Sequence, residues 1–206
     1  MIYEVRTYTL KPGSVATFEE NFAKSLPHRE KYSKLAAFWH TEIGPLNQVI
    51  HVWPYESLDQ RNEIRAEAVK DANWPPPNDP EMYVSQVSEI FTPASFMHPM
   101  GGDQALGGIY EMRIYTYKTG AMGEVLKRWG AAIEGREKFS PLAAGMSSEL
   151  GGLNKWMHIW PYKDLGDRER VRTEAQANPN WPPPTREFLV NQETKILVPA
   201  SFSPMH

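Results

Sequence analysis

Two short alternating segments hold the residues best able to do chemistry. One contains a histidine and two aromatic residues, and the other contains a glutamate, an arginine and a tyrosine, at every second position in each case. Alternate residues of a β-strand share one face, so each trio is presented together. Because histidine titrates near neutral pH and aromatic rings bind flat apolar molecules, the set is suited to proton transfer on such a molecule. The trios are His51, Trp53 and Tyr55, and Glu4, Arg6 and Tyr8.

Both segments occur a second time, at the same offset of 107 residues. The chain is therefore one domain of about a hundred residues present twice, a common domain size. We predict repeat 1 at residues 1–97, a linker at 98–107 and repeat 2 at 108–206. The matching candidates in repeat 2 are Glu111, Arg113, Tyr115, His158, Trp160 and Tyr162.

A second cluster of candidates lies on a predicted helix in each repeat. Arg61 and Arg65 are four residues apart, as are Arg168 and Arg172, so each pair shares one helix face. The spacing predicts two guanidinium groups directed at the sheet or its rim, where they could hold a carboxylate or phosphate. The alternative is that their stems cover apolar surface while their heads reach solvent or an internal glutamate.

The elements that must position these residues follow from hydrophobic periodicity. Each repeat reads strand, helix, strand, strand, helix, strand, which is the ferredoxin-like order of one antiparallel sheet with two helices on one face. The bare face needs a partner, so we predict an α+β fold in which the two sheets pack face to face as an intramolecular dimeric α+β barrel. Small aliphatic residues such as Ile50 and Val52 are expected to face the helices, which directs His51 toward the second copy.

Each repeat also contains a tryptophan followed by three prolines, Trp74–Pro77 and Trp181–Pro184. Such a run forbids helix and favours a stiff connector. We interpret it as a helix terminator with a packed tryptophan, and the alternative is a rigid lid or an oligomer contact.

Composition excludes several classes of function. Lys and Arg total 22 against 25 Asp and Glu, for a net charge of -3, so nucleic acid is not an expected partner. The chain has no cysteine, no glycine-rich phosphate loop and no paired zinc histidines, so we expect neither a metal site nor an organic cofactor. Without a basic leader or a long apolar run, we expect a cytoplasmic protein that does not insert into membranes.

Residues Tyr3–Gly13 resemble the leading motif of the NIPSNAP family, and His51–Tyr55 with Leu58, Arg61 and Arg65 resemble its second motif. The resemblance covers nearly all of both repeats, although Tyr117 and Thr119 of repeat 2 replace Leu10 and Pro12, and the Trp-Pro-Pro-Pro run departs from the pattern. It implies ferredoxin-like units paired in an α+β barrel, with an activity that is largely undefined. Animal members are associated with mitochondria and membrane traffic. Relatives by fold include cofactor-independent monooxygenases, haem-degrading enzymes and isomerases, an analogy that assigns no reaction.

Three functions remain in competition. The first is a barrel that binds or transforms a small apolar or aromatic compound with an acidic group, without an organic cofactor. The second is a non-catalytic scaffold that forms homo-oligomers, and the third is a haem-binding barrel with His51 or His158 as axial ligand. A structural polar network between the sheets, with Glu4 and Arg6 paired across the copies, is the alternative to any site.

For the first function, each candidate has an expected role. The histidines would be the acid or base, the tyrosines hydrogen-bond donors, and the arginines an anion clamp beside the aromatic rings. The catalytic candidates are His51, His158, Tyr8, Tyr115, Glu4 and Glu111, and the ligand-binding candidates are Arg6, Arg113, Trp53, Trp160, Tyr55, Tyr162, Arg61, Arg65, Arg168 and Arg172.

Overall fold

The computed structural model describes all 206 residues, and each repeat has the predicted order of elements. Repeat 1 consists of β1 (Ile2–Leu10), α1 (Val15–Arg29), β2 (Ala37–Ile43), β3 (Gln48–Tyr55), α2 (Leu58–Ala68) and β4 (Tyr83–Pro93). Repeat 2 consists of β5 (Ile109–Tyr117), α3 (Met122–Glu137), β6 (Ala144–Leu150), β7 (Lys155–Tyr162), α4 (Leu165–Gln176) and β8 (Leu189–Pro199).

Local sequence signals explain where these elements begin and turn. Helix α2 starts after Ser57, whose side chain accepts a hydrogen bond from the backbone N–H of Gln60, as an N-cap should. The β2–β3 hairpin turns at Asn47, which has a φ of 58°, and the β6–β7 hairpin turns at Asn154 with a φ of 59°. Asparagine tolerates this left-handed conformation better than most residues, so both turns suit their sequence.

The eight strands form one closed barrel, in the order β1-β3-β2-β8-β5-β7-β6-β4. Each repeat contributes a four-stranded antiparallel sheet with β1 and β3, or β5 and β7, at its centre. The two sheets also join at their edges, where Thr41 of β2 pairs with Leu197 of β8 and Thr92 of β4 pairs with Ser147 of β6. The predicted intramolecular α+β barrel is therefore confirmed, with hydrogen-bonded edges in addition to packed faces.

The predicted assignment of strand faces is wrong. Val5, Ile50 and Val52 point into the barrel, where they form one apolar cluster with residues of repeat 2 such as Met112 and Ile159. The middle of the barrel is buried between the two sheets, so it takes mainly aliphatic and aromatic side chains. The opposite face of each sheet is covered by its helices, and this face holds the polar trios.

The candidate residues consequently lie between each sheet and its own helices. His51, Trp53 and Tyr55 are buried on the helix side of β3, next to Phe18 and Phe22 of α1. The expected pairing of glutamate and arginine across the copies does not occur, since each copy pairs its own residues. The molecule thus has two separate candidate sites, one in each repeat.

The ends of the two sheets cross over to the other repeat. Phe202, which follows β8 of repeat 2, packs against Phe22 and Phe38 of repeat 1, with ring centroids 5.7 Å and 4.9 Å apart. Phe96, which follows β4 of repeat 1, packs against Trp156 of repeat 2 at 6.0 Å. Each repeat therefore completes the aromatic core of the other.

The segment between β4 and β5 is also more than the spacer that its glycine-rich composition suggests. Met100 is buried in the barrel core, and Met97 packs against it. Gln104 forms an isolated bridge with Met205 near the C-terminus, so the connection is held to the barrel at both ends. None of the helices combines the length and apolar character needed to cross a membrane.

Phe202→Ala tests the crossed aromatic contact. We expect a loss of about 2–3 kcal/mol in the free energy of unfolding, because a half-buried aromatic ring is removed from a packed core. Urea denaturation measures the loss, and Val190→Ala, at an exposed position of β8, is the matched control with a change below about 0.5 kcal/mol. A similar small change for both variants would contradict the contact's importance.

Candidate ligand-binding sites

A cavity opens between the sheet and the helices of each repeat. The cavity of repeat 1 has a volume of about 390 Å³ and that of repeat 2 about 260 Å³. The walls of both cavities are formed by corresponding strands, helices and Trp-Pro segments of the two repeats. Repeat 1 contributes Arg6, Tyr8, Phe22, Arg29, His51, Trp53, Tyr55, Arg65, Trp74, Pro75 and Pro76 among others, and repeat 2 contributes Glu111, Arg113, Tyr115, Trp129, Arg136, His158, Trp160, Tyr162, Arg172, Trp181 and Pro182.

A glutamate with no exposed surface lies at the base of each site. Oε1 of Glu4 accepts hydrogen bonds from Nη1 of Arg6 at 2.7 Å, from Nη2 of Arg61 at 2.5 Å and from the hydroxyl of Ser88 at 2.7 Å. Glu111 of repeat 2 is held in the same way by its own arginines. The arginines of the second predicted cluster therefore do face the sheet.

The charge state of these glutamates follows from their surroundings. Burial alone would raise the pKa of Glu4, but the hydrogen bond from Arg61 and the charge of Arg6 oppose it and lower the pKa to about 2. The pKa of Glu111 is lowered by the corresponding contacts with Arg168 and Arg113 against the same effect of burial. At neutral pH both are carboxylates that orient arginines, and neither holds a proton to donate.

Each site also contains a buried arginine that the sequence analysis missed. Arg29 of α1 is only 2% exposed, and it donates to the Tyr55 hydroxyl at 2.9 Å while its guanidinium carbon lies 4.5 Å from the Trp53 ring centroid. Arg136 of α3 repeats this arrangement in the second repeat. Neither forms a salt bridge, so each is a buried cation without a carboxylate partner.

The signal that could have identified Arg29 is present in the sequence. Phe18, Phe22 and Leu26 form the buried stripe of α1, and Arg29 falls on the same stripe three residues later. Its counterpart Arg136 lies at the repeat offset of 107. An arginine on an apolar stripe in both copies indicates a buried cation.

Indole N–H groups fix the tautomer of both histidines. Nε1 of Trp53 lies 2.7 Å from Nδ1 of His51, and Nε1 of Trp160 lies 2.7 Å from Nδ1 of His158. Since indole nitrogen can only donate, Nδ1 is the acceptor and the proton of the neutral ring is on Nε2. The two Nε2 atoms are buried and have no hydrogen-bond partner.

Burial and positive charge keep these histidines neutral. Burial, followed by the charge of Arg6, lowers the pKa of His51 to about 3. For His158, burial and the charge of Arg113 place the pKa well below its ordinary value. With Nδ1 engaged and Nε2 protonated, neither ring offers a free lone pair to an iron atom.

The remaining predicted residues join the same sites. The Tyr8 hydroxyl accepts a hydrogen bond from Nε of Arg6 at 2.6 Å, and its ring is edge-to-face with the imidazole of His51 at 5.0 Å. Tyr115, Arg113 and His158 reproduce this arrangement. All eight candidates of each repeat thus converge on one location.

The Trp-Pro segments form a wall of the cavities. Trp74 packs edge-to-face on Phe22 at 5.5 Å and near Trp53 at 6.2 Å, and Pro75 and Pro76 line the opening. The Trp74–Pro75 and Trp181–Pro182 peptide bonds are cis. The packed tryptophan agrees with the sequence interpretation, whereas the position of the prolines at a cavity was not predicted.

No group of three or more His, Cys, Asp or Glu side chains is arranged to hold a metal ion.

The neutral buried histidines make stability depend on pH. The unfolded chain takes up a proton at each histidine as the pH falls below about 6.5, whereas folded His51 does so only near pH 3. The stabilisation is thus present above pH ~6.5 and is lost toward pH 3. We expect His51→Asn, which keeps an acceptor for Trp53, to reduce the slope of unfolding free energy against pH by about 1.4 kcal/mol per unit between these limits.

Urea denaturation across this pH range measures the slope. His98→Asn is the matched control, because the His98 side chain is 75% exposed and should leave the slope unchanged. An unaltered slope in the His51 variant would show that His51 is protonated in the folded protein.

Comparisons with known proteins agree with this architecture. The sequence profile of the NIPSNAP family matches residues 3–98 and 110–204, one match for each repeat. Protein NipSnap homolog 3A of Homo sapiens is 30% identical, over 100% of this chain and 86% of its own length, and Protein NipSnap of Drosophila melanogaster is 29% identical over 99% and 78%. A monooxygenase-like protein from Fusobacterium nucleatum superposes with a TM-score of 0.70 at 12% identity, covering 97% of this chain and 92% of that one.

That last likeness concerns the fold alone, because its sequence identity is low. The family match, by contrast, spans both repeats, and the residues of both sites lie within the matched ranges. The chain belongs to the NIPSNAP family.

Proposed function

We propose that this protein binds a small organic acid with an apolar or aromatic body in the cavity between sheet and helices. The observation that supports this most directly is the charge of the site. Around the cavity of repeat 1, Glu4 is the one carboxylate among four arginines, Arg6, Arg29, Arg61 and Arg65. One carboxylate neutralises one of these cations, so the site has an excess of positive charge.

The excess charge favours an anion in the cavity. Arg29 is buried without a carboxylate, and a buried unpaired charge costs free energy that a nearby opposite charge recovers. Guanidinium groups bind carboxylates and phosphates through paired hydrogen bonds, which makes arginine well suited to this role. An anionic group on a ligand would therefore be stabilised next to Arg65 and Arg6, where the cavity is lined by their side chains.

The aromatic walls favour an apolar body next to the anionic group. Phe22, Trp53 and Trp74 contact one another, and they line the cavity together with Tyr8. Aromatic rings offer flat apolar surfaces against which a ring or chain of similar size packs well. The site thus offers both cationic groups and aromatic rings to one ligand.

The histidine geometry changes the role that the sequence suggested for His51 and His158. A general base needs a free lone pair, and in both rings Nδ1 is occupied by tryptophan. We therefore assign them as rigid neutral groups that shape the floor of the site, with the Tyr8 and Tyr115 hydroxyls, which accept from arginine, as the groups free to donate to a ligand. Under this proposal binding is the primary activity.

Calorimetric titration with naphthoate and with the uncharged naphthamide tests the proposal. We expect naphthoate to bind and the amide to bind at least about tenfold more weakly, because only the acid pairs with the arginines. Arg170→Gln is the matched control, since Arg170 is 58% exposed on α4 and pairs with surface carboxylates. Equal affinity for acid and amide, or no binding of either, would refute the proposed function, and a concentration-dependent assembly in light scattering would then favour the scaffold alternative.

A further inference from the structure

The two sites are formed by equivalent residues of the two repeats, but the equivalent arginines Arg65 and Arg172 make different contacts. In repeat 1, Nη1 of Arg65 lies 3.8 Å from Oε2 of Glu4, beyond hydrogen-bond distance, and that oxygen has no hydrogen-bond partner. The Arg65 side chain is 39% exposed and lines the cavity. Its guanidinium is therefore available to a ligand.

The equivalent arginine of repeat 2 is engaged. Nη1 of Arg172 lies 3.1 Å from Oε1 and 3.0 Å from Oε2 of Glu111, so it bonds both oxygens of the carboxylate. Its side chain is 32% exposed, close to the value for Arg65. The two arginines thus differ in hydrogen bonding far more than in access to solvent.

The third hydrogen-bond donor to the buried glutamate also differs between the repeats. Each buried glutamate has three hydrogen-bonding partners. In repeat 1 the third partner is the hydroxyl of Ser88, and Arg65 makes no hydrogen bond to Glu4. In repeat 2 Thr194 occupies the position of Ser88, the donors to Glu111 are all arginines, and Arg172 is the third of them.

The cavities also differ in size. Trp129 of repeat 2 stands where repeat 1 has Phe22, and its ring centroid is 4.5 Å from that of His158, compared with 5.3 Å between Phe22 and His51. Gln176 similarly stands where repeat 1 has Val69. The larger ring contributes to a second cavity of about 260 Å³ against about 390 Å³ in the first.

We propose that the cavity of repeat 1 is the high-affinity site for the acid, with Arg65 as the residue that binds its anionic group, and that Arg172 is committed to Glu111. This inference rests on the proposed function, because it names which cavity and which arginine perform it. It predicts one tight site per chain, which accepts a larger apolar body than the cavity of repeat 2 can hold.

Labelling with phenylglyoxal, which modifies arginine, tests the availability of Arg65 without a ligand. Peptide mass spectrometry should show Arg65 modified several-fold faster than Arg172, and naphthoate should slow the modification of Arg65. In Ser88→Ala, Glu4 loses its third donor, and Arg65 should close on the carboxylate and be labelled more slowly. Equal labelling rates for Arg65 and Arg172 in the protein without substitutions would overturn the inference.

Calorimetry of variants then assigns the tight site. Arg65→Gln should weaken tight naphthoate binding by about 10- to 100-fold, because a charge-assisted hydrogen bond is lost, whereas Arg172→Gln should change it less than about threefold. Arg170→Gln is the exposed control, and circular dichroism confirms that each variant is folded. Two results would overturn this inference but not the proposed function. One is that Arg172→Gln abolishes tight binding while Arg65→Gln retains it, and the other is that each chain has two sites of equal affinity. Failure of naphthoate to bind the unmodified protein would instead overturn the proposed function.

Discussion

A carboxylate removed from water has to be surrounded by hydrogen-bond donors, and the buried glutamate of each repeat imposes this condition on the structure. Glu4 sits on a central strand with no exposed surface, and the donors reach it from its own strand, from α2 and from β4. Removing one partner from such a buried ion pair costs about 3–5 kcal/mol, so the cluster fixes the position of α2 over the sheet. The cluster therefore ties α2 to the sheet beside the cavity.

The division of the strands into two unlike faces explains both the barrel and the sites. The side chains at the middle of the barrel are mainly aliphatic or aromatic, and they are buried against those of the other repeat. Side chains on the outer face meet helices and can therefore combine rings, arginines and a histidine. This division lets one strand, β3, supply the core with Ile50 and Val52 and the site with His51 and Trp53.

The sequence predicted the repeat, the order of elements, the barrel and all eight polar and aromatic candidates of each site. It placed the six strand candidates of each repeat on the wrong face, because alternation separates two faces without stating which one is covered by helices. The buried Arg29 was missed although it continues the apolar stripe of α1, since arginine is ordinarily assigned to the surface. The hydrogen bond from Trp53 that fixes the histidine tautomer, and the hydrogen bond from Ser88 to Glu4, depend on three-dimensional distances that periodicity cannot give.

The closed barrel contained in one chain has a consequence for how its two halves can change. In a barrel assembled from two identical chains, a substitution at one site appears at both, and assembly depends on concentration. Here the halves are covalently joined and exchange Phe96 and Phe202, so their association is intramolecular. Each half is encoded separately, and Arg65 stays beyond hydrogen-bond distance of Glu4 while Arg172 bonds Glu111, so that fusion turns a symmetric pair into two independently adjustable sites.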